Sequence, residues 1–408
     1  MNQINKCRIS GETPLIDILS LGDQYLTGVF PKSKEEEITK GPLDLVWAKE
    51  SGLLQLKHSY DSDEMYGENY GYRSGLNQSM VNHLTNKIEF LEGRVNPKAD
   101  DLVIDIGSND ATSLKAYKGN FLKLGIDPTG KKFKEFYTDE IRLLPNFFSK
   151  ELFLKEFPNR KAKIITSIAM FYDLEDPRSF ASDIYDILDD DGIWHLEQSY
   201  MPSMLRTNAY DTICHEHLEF YSLKVVKDLL ESLHFKIIDV QTNSINGGSF
   251  AVTAAKKESK YISNDVHIDW MLFEEKQMKL DTLEPYLDFK ERIFKHRESL
   301  KYLVNNLVQS GKTIFGYGAS TKGNVLLQFC EFTSDQIPYI AEVNDEKFGK
   351  YTPGTGIKII SETQAKKLNP DYFLVLPWHF KDNILQREKG TLKNGTKFIF
   401  PLPEIEII

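Results

Sequence analysis

The first residues whose types and spacing could do chemistry lie at 102–110, where the apolar run L-V-I-D-I stops at the turn G-S-N-D. This pattern predicts a buried parallel strand, a tight turn at Gly107 and a helix over 111–117. Asp127 ends a second apolar run, L-G-I-D-P, 22 residues after Asp105. The segment therefore has a strand, a glycine turn, a helix, a second strand and an acid, in that order. This order is typical of domains that bind an adenosine-containing cofactor at the carboxyl edge of a parallel sheet.

The composition of this turn favours S-adenosylmethionine over a dinucleotide. Gly107 lets the backbone approach a ligand, and the Asp127 carboxylate suits the two ribose hydroxyls. A pyrophosphate site needs G-x-G-x-x-G, whereas this turn has one glycine. Its additional acid would repel a pyrophosphate but suits a sulfonium cation. A nucleotide site and a plain strand end are the alternatives.

A second cluster is D-T-I-C-H-E-H at 211–217, which follows a predicted strand. Histidine and glutamate side chains can transfer protons near neutral pH. The spacing is not H-E-x-x-H, but alternating histidines share one side of an extended segment, so a metal site is one interpretation. Hydrogen-bonded structural histidines are another. We favour a catalytic base at the cofactor edge of the sheet.

A third cluster is G-Y-G-A-S-T-K-G-N at 316–324, between a predicted strand and a predicted helix. A glycine-rich turn at a helix N-terminus binds anions, and Lys322 adds a positive charge. The segment therefore predicts a phosphate or diphosphate site, with a structural turn as the alternative.

Two α/β units must position these clusters. Strands are predicted at 102–106, 123–127, 163–167, 192–198, 236–241 and 249–255, with helices between them. Charged helices over 265–310 link this unit to a second one, with apolar runs near 313–317, 339–342 and 372–378. Residues 1–60 are rich in strand and turn signals, and 61–84 form a tyrosine-rich connection.

Composition limits the class of protein. The 408 residues carry a net charge of −10, which argues against nucleic acid as a main partner. No apolar run is long enough to cross a membrane, and the first residues lack a secretory apolar core. Three separated cysteines suggest a reducing cytoplasm. A homodimer is compatible with the sequence.

The ordered motifs resemble the sugar C-methyltransferases, which methylate nucleotide-linked 4-keto deoxysugars. D-I-G-S-N-D, H-E-H, N-G-G-S, G-Y-G-A-S-x-K-G-N, Y-T-P-G and L-P-W occur in the family's order almost end to end. The resemblance implies an α/β fold: a class I methyltransferase Rossmann-like domain, a second Rossmann-like C-terminal domain and a small β-rich N-terminal module. The corresponding bounds are 61–260 for the methyltransferase domain, 261–408 for the helical arm with the C-terminal domain, and 1–60 for the module.

The resemblance also implies site residues and a reaction. The base would be His217, with Glu216 and His215 beside it and with Tyr70 and Tyr72 near the enolate oxygen. The S-adenosylmethionine contacts would be Asp105, Gly107, Ser108, Asn109, Asp127 and Pro128. The nucleotide-diphosphate sugar contacts would be Arg73, Asn246, Gly318, Ser320, Lys322, Asn324, Tyr351 and Trp378.

The chain departs from the family pattern at several positions. The family's N-terminal module binds zinc through two C-x-x-C pairs, but here they read C-R-I-S at 7–10 and A-K-E-S at 48–51. One cysteine of four cannot form a tetrahedral site, so we predict a metal-free module. Cys214 replaces a usual tyrosine, Ala111 replaces a glycine, and a histidine expected within 170–173 is missing.

Three functions follow from these observations. The first is carbon methylation: a base removes the proton next to the ketone, and the enolate carbon attacks the sulfonium methyl. The second is O-methylation of a sugar hydroxyl by the same apparatus. The third is non-catalytic binding of a nucleotide sugar or S-adenosylmethionine. A nicotinamide enzyme is disfavoured because neither glycine turn completes the dinucleotide pattern.

Overall fold

The computed structural model describes residues 1–66 and 72–408. The N-terminal region forms a four-stranded antiparallel sheet in the order β11-β4-β3-β2, and β1 pairs with β5 beside it. The strands of this region are β1 (Asn2–Gln3), β2 (Leu15–Tyr25), β3 (Lys40–Ala48), β4 (Leu54–Leu56) and β5 (His58–Ser59). The edge strand β11 (Glu219–Phe220) comes from far along the chain, directly after the H-E-H motif, and so joins this sheet to the central domain.

The central domain is built on a seven-stranded sheet in the order β12-β13-β10-β9-β6-β7-β8. Six strands run in the same direction, and β13 runs antiparallel to them between β10 and β12. The bounds are β6 (Leu102–Ile106), β7 (Leu122–Ile126), β8 (Ile141–Leu144), β9 (Ala162–Ile168), β10 (Leu188–Ser199), β12 (Phe235–Asn243) and β13 (Ser249–Lys256). Strand order reverses between β6 and β9, which is where open α/β sheets bind ligands.

The predicted strands of this domain are confirmed with small shifts at their ends, but β8 was missed. Its sequence, I-R-L-L, is short. Because the strand lies at the edge of the sheet, some of its side chains are buried and others are exposed. Four residues with a central arginine give too weak a periodicity to predict a strand.

The C-terminal domain has a six-stranded sheet in the order β16-β15-β14-β17-β18-β19, in which only the last pairing is antiparallel. The bounds are β14 (Ile314–Tyr317), β15 (Tyr339–Glu342), β16 (Lys358–Ser361), β17 (Tyr372–Val375), β18 (Lys397–Phe400) and β19 (Glu406–Ile407). Its strand order reverses between β14 and β17, so the predicted second Rossmann-like unit is confirmed.

Helices cover the sheets and connect the domains. They are α1 (Ser62–Tyr66), α2 (Gln78–Val95), α3 (Thr112–Ala116), α4 (Lys150–Glu156), α5 (Pro177–Ile187), α6 (Met201–Thr207), α7 (Leu223–Ser232), α8 (Asp265–Gln277), α9 (Glu284–Gln309), α10 (Thr321–Phe329), α11 (Glu362–Lys367), α12 (Lys381–Arg387) and α13 (Lys389–Lys393). The two helices predicted over 265–310 are α8 and α9. In the part of the chain that the structure describes, none of them is both long and apolar enough to cross a membrane.

One hydrophobic core joins the N-terminal sheet, the α6 region and the C-terminal domain. Trp47 on β3 packs against Tyr286 on α9, with ring centroids 5.4 Å apart. The backbone N–H of Tyr25 donates to the Gln328 side chain on α10 at 2.8 Å. These contacts hold the C-terminal domain against the N-terminal sheet, and the segment 201–220 lies between them.

Candidate active site

The turn after β6 has the unusual backbone that its sequence requires. Gly107, Asn109 and Ala111 all have positive φ, at 78°, 49° and 61°. A side chain at Gly107 would come within 3.0 Å of Met170, so glycine leaves space at the strand end that a larger residue would fill. Ala111 adopts the left-handed conformation in place of the expected glycine, and the turn still forms.

A cavity of about 330 Å³ opens at the carboxyl ends of β6, β7, β9 and β10. All six residues predicted to contact S-adenosylmethionine line it: Asp105, Gly107, Ser108, Asn109, Asp127 and Pro128. The parallel register places Asp105 beside Thr166 and Gly125, so the ends of three strands meet here. The cavity therefore lies where the sequence predicted the cofactor site.

Asp127 is held as a fixed acceptor in this cavity. Its Oδ2 accepts the Asn109 N–H at 2.7 Å, and its Oδ1 accepts the Thr129 N–H at 2.7 Å and the Thr129 hydroxyl at 2.6 Å. These three bonds orient the carboxylate and leave lone pairs for a ligand. Asp127 thus has the geometry expected of a ribose-binding acid.

Asp105 is a buried carboxyl group whose charge depends on pH near neutrality. Its Oδ1 accepts the Thr166 hydroxyl at 2.5 Å. Burial raises the pKa of Asp105 to about 7, and the nearby Asp127 charge adds to this. A cationic ligand would favour the ionised form.

We therefore expect S-adenosylmethionine affinity to rise with pH. A cation binds best to ionised Asp105, so the Kd should fall about tenfold between pH 6 and pH 8 as a group with a pKa near 7 loses its proton. Titration calorimetry on the wild type and Asp105→Asn measures this, with uncharged adenosine as the control ligand. An equal pH dependence in the variant would contradict the assignment.

Residues 73–75 are held against the cofactor turn by hydrogen bonds and an ion pair. The Ser74 N–H donates to Asn109 Oδ1, and the Gly75 N–H donates to Asp110 Oδ2, each at 3.0 Å. The Arg73 guanidinium lies 3.8 Å from Asp110 and stacks on the Phe136 ring. The expectation that the acid of this turn attracts the cofactor is corrected for Asp110, which faces Arg73 and Gly75.

These contacts also bear on the predictions for Tyr72 and Arg73 in the tyrosine-rich segment. Tyr72 lines the cavity, and its backbone carbonyl accepts the Asn109 side-chain amide at 3.2 Å. Arg73 pairs with Asp110 of the cofactor turn and does not line the cavity, so its contact with the sugar nucleotide stays a prediction. Tyr70 lies outside the described residues.

Glu197 is a charged group at the end of β10 that was not predicted from the sequence. Glu197 lines the cavity, is bonded to His83 on α2 and lies 3.1 Å from Lys87. Burial opposes ionisation, yet the bond to His83 and the Lys87 charge lower the pKa of Glu197. The sequence contains the pattern that could have predicted it. Polar residues, E-Q, end a predicted buried strand here, as D-I-G does at the end of β6.

The three residues of H-E-H have different surroundings. His215 is fully buried, with its ring edge against Tyr60 at 4.6 Å between centroids. Glu216 accepts the Thr27 hydroxyl at 3.4 Å, and a side chain at Gly28 would collide with its carboxylate. Neither residue lines the cavity; both face the N-terminal module, and their direct catalytic roles stay predictions.

His217 is the partly exposed member of the motif. Its Nδ1 lies 2.8 Å from the Thr212 carbonyl oxygen, which can only accept, so Nδ1 carries the proton and Nε2 keeps a lone pair. Burial, and then the Lys322 charge, lower the pKa of His217 to about 3. The ring is neutral at physiological pH and is oriented as a proton acceptor.

Lys322 joins the C-terminal domain to this histidine. Its ammonium donates to the Asn246 carbonyl at 2.7 Å, and Asn246 lines the cavity. Trp378 donates from Nε1 to Asp211 Oδ2 at 2.7 Å, and the Asp211 charge also acts on Lys322. The structure thus brings four separately predicted segments, around 211–217, 246, 322 and 378, to one rim of the cavity.

The glycine turn after β14 does not present an open anion site. The Ala319 N–H donates to Glu342 Oε2 at 2.7 Å, so a carboxylate of the chain already occupies this position. Gly318 packs against Pro377, and the Ser320 hydroxyl accepts the Gly323 N–H as a helix cap. The predicted phosphate contacts of Gly318 and Ser320 are corrected to structural ones, because an internal carboxylate and a cap satisfy the turn.

Two further residues that were predicted to contact the substrate form hydrogen bonds between domains. The side chain of Asn324, which is fully buried, donates to the Thr27 carbonyl at 2.7 Å. The Tyr351 N–H donates to the Pro31 carbonyl at 2.9 Å. Neither residue lines the cavity. These bonds hold the C-terminal domain on the N-terminal module, and the substrate contacts of both residues stay predictions.

The N-terminal module keeps only one cysteine at the four positions where the family has zinc ligands. Cys7 Sγ lies 3.2 Å from Ser51 Oγ, and Ser10 and Ala48 fill the other two positions of the pattern. Cys7, Ile9, Ala48 and Leu53 pack in one core. No group of three or more His, Cys, Asp or Glu side chains suited to a metal occurs within residues 1–66 and 72–408. The residues present do not fit zinc.

We expect metal analysis of the purified protein to find less than about 0.1 zinc per chain, since a zinc site takes four Cys or His ligands. A chelator should leave the melting temperature unchanged. The variant S10C/A48C/S51C restores four cysteines and should bind one zinc. Stoichiometric zinc in the wild type would contradict this account.

Known proteins match this chain over nearly its whole length. Residues 7–66 match a family model described as "Putative zinc binding domain", residues 79–240 a "Methyltransferase domain", and residues 244–403 a "C-methyltransferase C-terminal domain". The C-methyltransferase NovU of Streptomyces niveus is 30% identical over 410 residues, covering 99% of this chain and 97% of that protein.

Solved structures are similar to part of the chain. A methyltransferase in complex with the Trm112 activator of Haloferax volcanii is 12% identical, with 45% of this chain and 94% of that chain covered and a TM-score of 0.37. An S-adenosylmethionine-dependent methyltransferase from Clostridium acetobutylicum is 10% identical, with 45% and 92% covered and a TM-score of 0.33.

Proposed function

This chain belongs to the C-methyltransferase family that its ordered motifs resemble, and from that premise we propose that it methylates the carbon next to the ketone of a nucleotide-linked keto-deoxysugar. It is an S-adenosylmethionine-dependent methyltransferase, as the turn after β6 predicted. The predicted class I fold is likewise confirmed.

The observation that carries the proposed reaction is the state of His217. A carbon acid needs a neutral base whose free nitrogen is fixed in place. The Thr212 carbonyl fixes the Nδ1 proton, and Nε2 is left to accept one. Lys322 helps to keep the ring neutral and supplies a positive charge beside the oxygen on which negative charge develops.

The cofactor supplies an electrophilic methyl group when bound. Asp127 would hold its ribose, and ionised Asp105 would face its methionine end. Gly107 and Ser108 would lie along it, since both line the cavity with these acids. The chain itself orients the acceptor, holds the proton on His217 and keeps bulk water from the reacting carbon.

The nucleotide sugar would enter from the rim formed by the central and C-terminal domains. Asn246 lines the cavity at this rim and is bonded through its carbonyl to Lys322. A lysine at this position suits the negative charge of a diphosphate or of an enolate oxygen. Trp378 would act indirectly, because its indole N–H is bonded to Asp211.

Deuterium exchange tests carbon against oxygen methylation. A keto-sugar nucleotide incubated with the enzyme and S-adenosylhomocysteine in deuterated water should gain deuterium next to the ketone. His217→Ala should not catalyse this exchange. Methylation of the acceptor without any exchange or carbon-bound label would favour a sugar O-methyltransferase, because an alcohol substrate has no such carbon acid.

A further inference from the structure

Two polar side chains in the cavity have buried atoms without a hydrogen-bond partner in the described part of the chain and are not used by the cofactor contacts described above. Asp173 Oδ1 is buried and has no hydrogen-bond partner among the described residues. Both the amide oxygen and the amide nitrogen of Gln198 also have no hydrogen-bond partner among the described residues, and this residue is 2% exposed. Buried polar groups normally have partners, so such groups in a cavity point to a ligand.

Asp173 and Gln198 lie on the same side of the central sheet. Along β10, Trp194, Leu196 and Gln198 alternate with His195 and Glu197, which face α2. Trp194 packs against Phe171 at 5.5 Å between centroids, and Phe171 begins the short helix that ends at Asp173. The side chains of Asp173 and Gln198 therefore enter the cavity from adjoining strand ends.

The segment that carries Asp173 is joined to the segment that carries the proposed base. The Leu218 N–H donates to the Tyr172 carbonyl at 2.7 Å, which joins the segment of His217 to the segment of Asp173. The Tyr172 ring lies 4.3 Å from the His217 ring, centroid to centroid. Leu218, the residue after His217, lines the cavity together with Asp173, so an acceptor bound near His217 would lie toward this part of the cavity.

The surroundings of Asp173 oppose its negative charge. Cys214 and Glu216 lie nearby on the loop after α6, Glu219 lies on β11, and Tyr66 on α1 is bonded to the carboxyl group. Burial, with the Glu216 charge adding to it, raises the pKa of Asp173 well above its ordinary value. This shift favours the protonated carboxyl group, which can donate a hydrogen bond.

We propose that Asp173 and Gln198 form the oxygen-binding subsite for the methyl acceptor: protonated Asp173 donates a hydrogen bond to the carbonyl oxygen, and the Gln198 amide binds an adjacent sugar hydroxyl. This inference rests on the proposed function. When His217 takes the proton, the C–H electron pair forms the enolate double bond and the carbonyl π pair moves to oxygen. Asp173 keeps its proton and stabilises that oxygen. When the enolate carbon forms its bond to the methyl group, the methyl–sulfur bond breaks and its electron pair stays on sulfur. The ketone re-forms and the proton stays on His217.

The test compares Asp173→Ala, Asp173→Asn, Gln198→Leu and a control, Asp190→Asn, whose carboxylate is 97% exposed. Removing a donor to an oxyanion costs on the order of 10²–10³ in kcat, so Asp173→Ala should lose that factor in methylation and in deuterium exchange. Its Kd for S-adenosylhomocysteine should stay within about twofold of wild type. Gln198→Leu should mainly raise the KM for the sugar nucleotide.

Asp173→Asn separates a hydrogen-bond donor from a merely structural group. Its amide still donates, so kcat should stay within about tenfold of wild type. We expect the wild type to lose activity at alkaline pH as Asp173 ionises, and this loss should be absent from the variant. Asp173→Ala with kcat within threefold of wild type, or with equal loss of S-adenosylhomocysteine binding, would overturn this inference alone. A wild type that neither exchanges nor methylates any keto sugar would overturn the proposed function and this inference with it.

Discussion

Replacing His217 with alanine should lower kcat for methyl transfer by on the order of 10³, because general-base catalysis contributes about 10²–10⁴ in rate. The Kd for S-adenosylmethionine should stay within about twofold of wild type, since His217 does not line the cofactor cavity. Steady-state kinetics and calorimetry on the same preparation measure the two quantities.

His215 provides the matched control within the same motif. It is fully buried against Tyr60, and burial lowers the pKa of its ring to about 4. His215→Asn should lower the melting temperature but leave kcat within about threefold at temperatures where the protein is folded. Equal losses of kcat in the two variants would mean that both histidines are structural.

Replacing Asp127 with alanine should weaken S-adenosylmethionine binding by about 10²–10³-fold. Each hydrogen bond to a charged group contributes about 1.5–3 kcal/mol, and each 1.4 kcal/mol is a factor of ten in Kd. The variant also loses the acceptor that orients the Asn109 and Thr129 N–H groups. Direct titration with S-adenosylmethionine measures the effect.

Asp127→Asn and Asp139→Asn make this measurement specific. The first keeps the size of the side chain and one acceptor, so its loss should be intermediate. The second removes the same charge from an exposed position of the same domain and should leave the Kd unchanged. If Asp127→Ala binds S-adenosylmethionine within threefold of wild type, the ribose assignment is wrong.

The sequence was sufficient for the parts of the site that depend on strand ends. Asp105 and Asp127 follow apolar runs, and parallel strands bring their carboxyl ends to one edge, so their meeting could be predicted. The same rule applied to β10 would have found Glu197 and Gln198. These were missed because the run there was interpreted as strand alone.

The sequence was not sufficient where a contact depends on a distant segment. The glycine turn at 316–320 has the pattern of an anion site, but Glu342 from the next strand takes its N–H. Asn324 and Glu216 look like site residues in their motifs, yet both bond to Thr27 of the N-terminal module. Local patterns predict which groups are available for binding, and packing between domains decides which of them are already satisfied.

The central claim is transfer of a methyl group to carbon beside a ketone. The most direct test incubates the enzyme with a panel of nucleotide-linked keto-deoxysugars and S-adenosylmethionine labelled with ¹³C in its methyl group, and then locates the label by NMR. We expect a methyl carbon bonded to the sugar carbon next to the ketone, with His217→Ala giving none. Label on a sugar oxygen, or no transfer to any member of the panel, would contradict the account.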